Sequence, residues 1–364
     1  MRSVLTVSLI LLGLLILSSY QLGAGGKAQI SLTMVYGSEK RGWIEEAAPL
    51  FLDWWKKEYP EMPLELNVSP LGSRESMIQI ITGEIKPVVW SPASSVWVPL
   101  ANWMWARENE GTSLVEEYRP LVFSPIVIAS WSSYVSKRGI QGFGSLHDLS
   151  IMDHSDLKFA HTDPQLSNSG FMAVIMETAA AAGKSPAQLR REDLLSTDVR
   201  QWLTELESTA VYYGESTGFL LDEAVEGGPN NLNALVIYEN LVIEKNRSGE
   251  PMSRWKDRLV AVYPKEGLLL SDHPFCILNA PWVSEKQRWA AQEFLRFLLS
   301  PEIQKKAAAH GFRPTTRGIE LDRGVFNPAN GVSYSLPTNI VSAPTDEEVL
   351  LHITDVWSVT RARR

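Results

Sequence analysis

Five short turns carry most of the chemistry that can be read from this sequence. They are Tyr36-Gly37-Ser38-Glu39, Leu71-Gly72-Ser73-Arg74, Trp90-Ser91-Pro92-Ala93-Ser94-Ser95, Ser167-Asn168-Ser169-Gly170 and Gly214-Glu215-Ser216-Thr217-Gly218. Each is rich in small and hydroxyl-bearing residues and sits where an apolar run gives way to a helical period. Such a turn brings free backbone N–H groups, a helix N-terminal partial positive charge and side-chain hydroxyls to one point. That combination binds anions. Serine and asparagine are also the commonest helix N-caps, so capping alone accounts for any single turn. Five in one chain point to ligand contact by at least two.

Charged neighbours complicate an anion site. Glu39, Asp163, Glu215 and Glu239 lie in or beside these turns. A carboxylate repels an anion unless it accepts the anion's proton or ligates its metal centre. If two or more point inward, a cationic or metal-containing ligand is favoured; otherwise they are solvent-facing helix residues. Arg41 and Arg74 stand nearby as offsets or as plain surface charges. Among the 13 tryptophans, Trp43 and Trp54 fit a helix core stripe, whereas Trp90, Trp97, Trp103, Trp105 and Trp131 form a set whose faces suit a sugar ring.

Signs of catalysis are few. The six histidines show no metal-site spacing such as H-E-x-x-H, and no G-x-S-x-G elbow is present. Asp272-His273 precedes Pro274 and reads as a loop. Cys276, the one cysteine, lies in the apolar run Phe275–Leu278 and reads as a small buried hydrophobe. The reading is of a binding protein and not an enzyme, with no cofactor and no metal site; an exported hydrolase is the less favoured alternative.

The elements that must position the turns alternate. Ile30–Tyr36, Leu64–Val68 and Val88–Trp90 read as strands, each followed by a helical period: 39–58, with Trp43, Ala47, Leu50, Phe51 and Trp54 at helical spacing, then 73–82, then one opened by Ser91-Pro92. A β-like run at Leu121–Trp131 leads into a Gly- and Ser-rich loop. Strands at Lys158–His161, Ala210–Tyr213, Ala234–Tyr238, Leu259–Tyr263 and Phe275–Leu278 follow, with an Ala-rich helix at 170–182. Helices at 284–299 and 301–310 close the pattern, and a last short one lies near 346–357. Strand–helix alternation of this kind gives an α/β fold, and in an open α/β sheet ligands bind beyond the carboxyl ends of the strands.

Length and charge set the outer bounds. A chain of 364 residues suggests two domains. A formal charge of −8 argues against a nucleic-acid partner, which requires a basic face, and against anionic lipid surfaces. At the N-terminus, Arg2 precedes an apolar stretch, Val4–Leu17, and then small and polar residues. This order reads as an export signal or N-terminal anchor over residues 1–26. No cysteine follows it, so lipid attachment there is excluded. The expected location is extracytoplasmic, either secreted, periplasmic or on the outer cell surface.

The order of motifs resembles a known family. The stretches GSRESMIQIITGEIKPVVWSPASS (72–95), TDPQLSNSG (162–170), VIYEN (236–240), VYPKEGLLLSDHPFCILNAP (262–281) and SPEIQKKAAAHGFRP (300–314) resemble the extracellular solute-binding proteins of the molybdate, sulfate and phosphate-like type II class. The resemblance covers most of residues 30–314. It implies a type II periplasmic-binding-protein fold: two α/β lobes joined by two crossover strands, with the ligand clamped between them. Lobe one is expected at 28–124 plus 275–364 and lobe two at 125–274. The family's contacts carry over to Ser38, Ser73, Ser94, Ser169 and Tyr238, with Glu39, Asp163 and Glu239 beside them. The implied partners are a small-molecule ligand, an oxyanion first, and the membrane permease of an ABC transporter, with a monomer as the default. A metal-containing or sugar-like ligand, and a sensor role, stay open.

Overall fold

A computed structural model of the chain describes residues 29–361. The expected export segment, 1–26, lies outside the described residues. Thirteen strands among the described residues form two sheets: β1 (Ile30–Tyr36), β2 (Leu64–Pro70), β3 (Val89–Ser91), β4 (Tyr118–Pro120), β5 (Val122–Trp131), β6 (Phe159–Thr162), β7 (Ala210–Gly214), β8 (Ala234–Tyr238), β9 (Leu259–Val262), β10 (Leu268–Ser271), β11 (Pro274–Ile277), β12 (Arg313–Pro314) and β13 (Ile340–Val341).

The first sheet runs β2-β1-β3-β11-β4, with β1 parallel to both β2 and β3. β1 alternates buried and half-buried residues at its start and is buried on both faces at its end, as a central strand must be. Edge strand β2 alternates exposed and half-buried residues throughout. The Arg41–Glu58 helix buries Trp43, Ile44, Ala47, Ala48, Phe51 and Trp55 on one stripe. These meet the Glu285–Leu298 helix, where the Phe51 and Phe294 rings lie 4.7 Å apart and Trp55 and Trp289 lie 5.0 Å apart.

The second sheet runs β13-β10-β5-β8-β6-β7, with β9 and β12 also paired to β5. The two crossings lie side by side: Ser124 of β5 pairs with Ser271 of β10, and Pro120 of β4 with Pro274 of β11. The fold is thus two α/β lobes joined by paired crossover strands. A third passage was not legible in the sequence. Arg313 of β12 pairs with Phe123, and the chain beyond it runs on to the second sheet. There β13 joins β10, and the Glu347–Arg361 helix packs on the helices Asn168–Ala182, Arg191–Leu195 and Thr197–Glu207, with a smaller contact to Trp97–Glu108. The tail was expected with lobe one. Its apolar face (Val349, Leu350, Ile353, Val356, Trp357) instead finds cover on lobe two.

Local structure differs from expectation in two places. The helix after Pro92 starts only at Trp97, because Ser95 N–H donates to Asp272 Oδ1 at 2.7 Å and Ser94 Oγ accepts from Val96 N–H, holding 92–96 as a loop. The Gly- and Ser-rich stretch after Trp131 folds into two helices, Ser132–Arg138 and Phe143–Ser150.

Candidate functional site

A cleft of ≈440 Å³ opens between the lobes. Lobe one contributes Ser38 and Glu39 from the turn after β1, Arg41, Gly42 and Glu45 from the helix that follows it, Pro70, Leu71 and Gly72 from the end of β2 and its turn, and Glu75 from the next helix. Lobe two contributes Ser216, Gly218, Phe219 and Asp222 from the turn after β7, and Leu241 and Glu244 from the helix after β8. Every contributor follows a strand's carboxyl end, as an open α/β sheet requires.

The lining is acidic. Five carboxylates (Glu39, Glu45, Glu75, Asp222, Glu244) face one guanidinium, Arg41. Lys245 pairs with Asp222 at 2.5 Å from outside the lining, and Lys40 pairs with Glu39 from beneath. Phe219 is 65% exposed at the lobe-two wall, the most exposed large apolar side chain among the described residues.

Under the cleft lies a buried charged cluster. Lys40 Nζ donates to Glu39 Oε1 at 2.7 Å and to the Pro92 carbonyl at 3.3 Å, and His273 Nδ1 lies 3.3 Å from Lys40 and 3.1 Å from Glu39. Burial alone would raise the pKa of Glu39. The Lys40 charge and the contact with His273 outweigh it and hold the carboxyl at about 2. Burial and the Lys40 charge push His273 below its ordinary value. Whichever tautomer His273 adopts, its Nε2 is buried without a partner among the described residues, as are Tyr36 Oη and Ser91 Oγ at the ends of β1 and β3.

Both shifts act on stability in the same direction. Glu39 stabilises the fold fully above its unfolded pKa of 4.5, and that contribution is lost as pH falls towards about 2. His273, neutral when folded, lowers stability further as pH drops below its ordinary 6.5. Urea midpoints measured from pH 7 to pH 2 are expected to fall less steeply below pH 4.5 in Glu39→Gln than in wild type. Superimposable slopes would remove the carboxylate from this role.

The structure distributes the sequence-derived residues unevenly. Ser38 and Glu39 line the cleft. Ser73 is buried and accepts the Ala93 N–H through its hydroxyl, and Ser94 holds its own loop. Ser169 is fully buried in a hydroxyl chain with Thr162 and Thr217, at 2.8 Å to each. Behind it Gly170 admits no side chain, since a Cβ would stand 1.9 Å from the Thr162 carbonyl oxygen. Tyr238 is buried and accepts from Asn168 Nδ2 at 2.9 Å. Asp163 tightens its own turn by accepting the Gln165 N–H. Glu239 is enclosed away from the cleft, where Arg313 grips both its oxygens.

Four of the five tryptophans read as a stacking row, Trp90, Trp97, Trp105 and Trp131, belong to the core, and Trp103 is half-buried with the Arg107 guanidinium over its ring. Trp90, Trp97 and Trp131 are fully buried, and their indole N–H groups donate to Ser76, Asn168 and the Leu232 carbonyl. The sequence reading missed Glu45, Glu75, Asp222 and Glu244. Glu75 lies in the first turn of its helix and the other three about one turn in, on helices whose opening residues border the cleft.

Residues 32–313 match the family model described as bacterial extracellular solute-binding protein. An uncharacterized protein of Mycobacterium tuberculosis, strain H37Rv, is 24% identical over 243 residues, 63% of this chain. The match spans about a third (33%) of that relative's length. Among solved structures, a periplasmic thiamin binding protein superposes with a TM-score of 0.63 at 13% identity, covering 92% of this chain and 98% of its own. The ferric binding protein from Campylobacter jejuni gives 0.59 at 10%, covering 92% and 99%. A periplasmic binding protein from Actinobacillus pleuropneumoniae with fructose-6-phosphate bound gives 0.58 at 18%, covering 93% and 98%. At such identities the likeness shows a shared fold. No helix among the described residues is long and apolar enough to cross a membrane. The family match over 32–313 shows that the chain belongs to the bacterial extracellular solute-binding proteins.

Proposed function

We propose that this protein captures a small cationic solute in the interlobe cleft, outside the cytoplasm, and presents it to the membrane permease of an ABC transporter. The observation that carries this reading is the lining itself, five carboxylates against Arg41 and the paired Lys40 and Lys245, which leaves the cleft net negative. An oxyanion, the ligand first expected from the sequence, would enter against that charge. The serine hydroxyls expected to receive it at Ser73, Ser94 and Ser169 are engaged inside the protein. Names of the similar structures include thiamin, ferric iron and fructose-6-phosphate, so the fold alone does not select the ligand's charge and the lining must. A volume of ≈440 Å³ suits an organic molecule. Phe219 supplies an aromatic face for its apolar part or for an ammonium group.

A thermal-shift panel tests the charge class. It holds organic ammonium compounds, metal cations, molybdate, sulfate, phosphate and neutral sugars. A ligand at 100 times its Kd stabilises by about 2.7 kcal/mol, a rise of several degrees. The expected hits are cations. Stabilisation by an oxyanion with none by any cation would overturn the reading.

A further inference from the structure

Behind the wall of the cleft, lobe two encloses a second cluster of ionisable groups. His161 comes from β6, Glu177 from the Asn168–Ala182 helix and Glu207 from the end of the Thr197–Glu207 helix. None is more than 1% exposed, and their donor atoms lie within 4.8 Å of one another. The sequence gives no local sign of this, because the three residues come from separate elements.

Hydrogen bonding fixes the state of the imidazole. His161 Nδ1 lies 2.6 Å from the Thr162 carbonyl oxygen, which can only accept, so Nδ1 carries a hydrogen. A neutral ring then turns the bare lone pair of Nε2 onto Glu207 Oε1, 2.8 Å away and itself an acceptor. Glu207 Oε2 receives the Tyr213 hydroxyl at 2.5 Å. Both oxygens of Glu177 are buried with no hydrogen-bond donor among the described residues, and its carboxyl stands against that of Glu207. Two carboxylates and an imidazole lone pair thus face one another in a fully buried site. They require two positive charges between them, supplied either by two protons or by one divalent cation.

We propose that the cluster is a closed structural site for a divalent transition-metal ion, held by His161 Nε2, Glu207 Oε1 and both oxygens of Glu177. That makes four donors, and a mixed nitrogen and carboxylate set suits Zn²⁺ or Mn²⁺. The supporting contacts are those a metal site needs: a carbonyl on the far nitrogen of the histidine and a hydroxyl on the second oxygen of a ligating carboxylate. Bonds of about 2.0–2.1 Å at a near-tetrahedral angle place Nε2 and Oε1 about 3.3 Å apart, so that pair opens by about half an ångström on loading, while Glu177 chelates through its narrower carboxylate bite. Trp357 of the C-terminal helix closes over the cluster, with its ring 6.1 Å from His161 and edge-on to Tyr213. The ion would brace the end of β6, where Thr162 holds Ser169 and Gly170 against the cleft wall. This site is separate from the cation proposed for the cleft.

The test is metal content and melting of the protein grown with added zinc and manganese and purified without chelator. One divalent ion per chain is expected in wild type and none in Glu177→Gln. Unfolding in EDTA and refolding should lower the wild-type melting temperature, and added Zn²⁺ or Mn²⁺ should restore it. The glutamine variant should ignore both treatments. Cobalt(II) loading of wild type gives a readout independent of any variant, since an enclosed four-coordinate site absorbs far more strongly in the visible than a solvated ion in an open cleft. Glutamine mimics a protonated Glu177. A metal-free wild type that ignores both ions, with Glu177→Gln at least as stable, would therefore overturn the proposal in favour of the two-proton state. Metal retained by Glu177→Gln would overturn it by placing the ion elsewhere.

Discussion

Arg313→Ala is expected to lower unfolding stability by about 3–5 kcal/mol, because it strands a buried carboxylate. Arg313 Nε donates to Glu239 Oε2 at 2.7 Å and one terminal nitrogen donates to Oε1 at 2.9 Å. The guanidinium also donates to the carbonyls of Tyr334 and Ser333 and lies 4.9 Å over the Phe326 ring. The Tyr263 hydroxyl donates to the same carboxylate and accepts the Ser333 N–H. Four separate segments therefore converge on one ion pair whose acid is fully buried. Removing one partner costs far more than removing both, so Arg313→Met combined with Glu239→Leu should recover most of the loss. Urea unfolding of wild type and the two variants, with ligand titrations alongside, checks this. Loss of affinity in Arg313→Ala with a stability change under about 1 kcal/mol would return Glu239 to the binding site.

The second large effect is on affinity. Glu75 and Glu244 stand on opposite lobes of the cleft and both are exposed. Reversing both to lysine changes the lining by four unit charges. At about 8 Å in a water-like dielectric each unit is worth about 0.5 kcal/mol, so the pair is worth about 2 kcal/mol. That is one to two decades in Kd for a monovalent cation, shrinking as salt is added. Both residues are at the surface, so stability without ligand should move by less than about 0.5 kcal/mol. Unchanged cation affinity in the double variant would show that the rim carboxylates do not act on the solute.

The parts of this architecture that are local in sequence were legible, and those that depend on distant partners were not. Strand-to-helix turns announce themselves through small, hydroxylated residues after an apolar run. The turns at Tyr36–Glu39, Leu71–Arg74 and Gly214–Gly218 all border the cleft for that reason. The same chemistry misleads about individual side chains. A serine at a helix start serves the protein's own backbone as readily as a ligand, and Ser73, Ser94 and Ser169 do the former. Glu75, Asp222 and Glu244 gave no signal, because an acidic residue on a solvated helix looks the same in sequence whether or not another lobe faces it. Glu239 looked like a cleft residue until its partner, 74 positions away, was in view. The tail carried a clear apolar stripe at Val349–Trp357, but a stripe specifies burial and not the surface that provides it.

The charge of the solute is the central claim, and calorimetric titration of the wild-type protein reads it most directly. The tightest cation from the thermal panel and sulfate are titrated separately at low salt. The acidic cleft predicts one saturable site for the cation, weakening as salt rises, and no binding heat for sulfate. Saturable sulfate binding, with no heat from any cation, would contradict it.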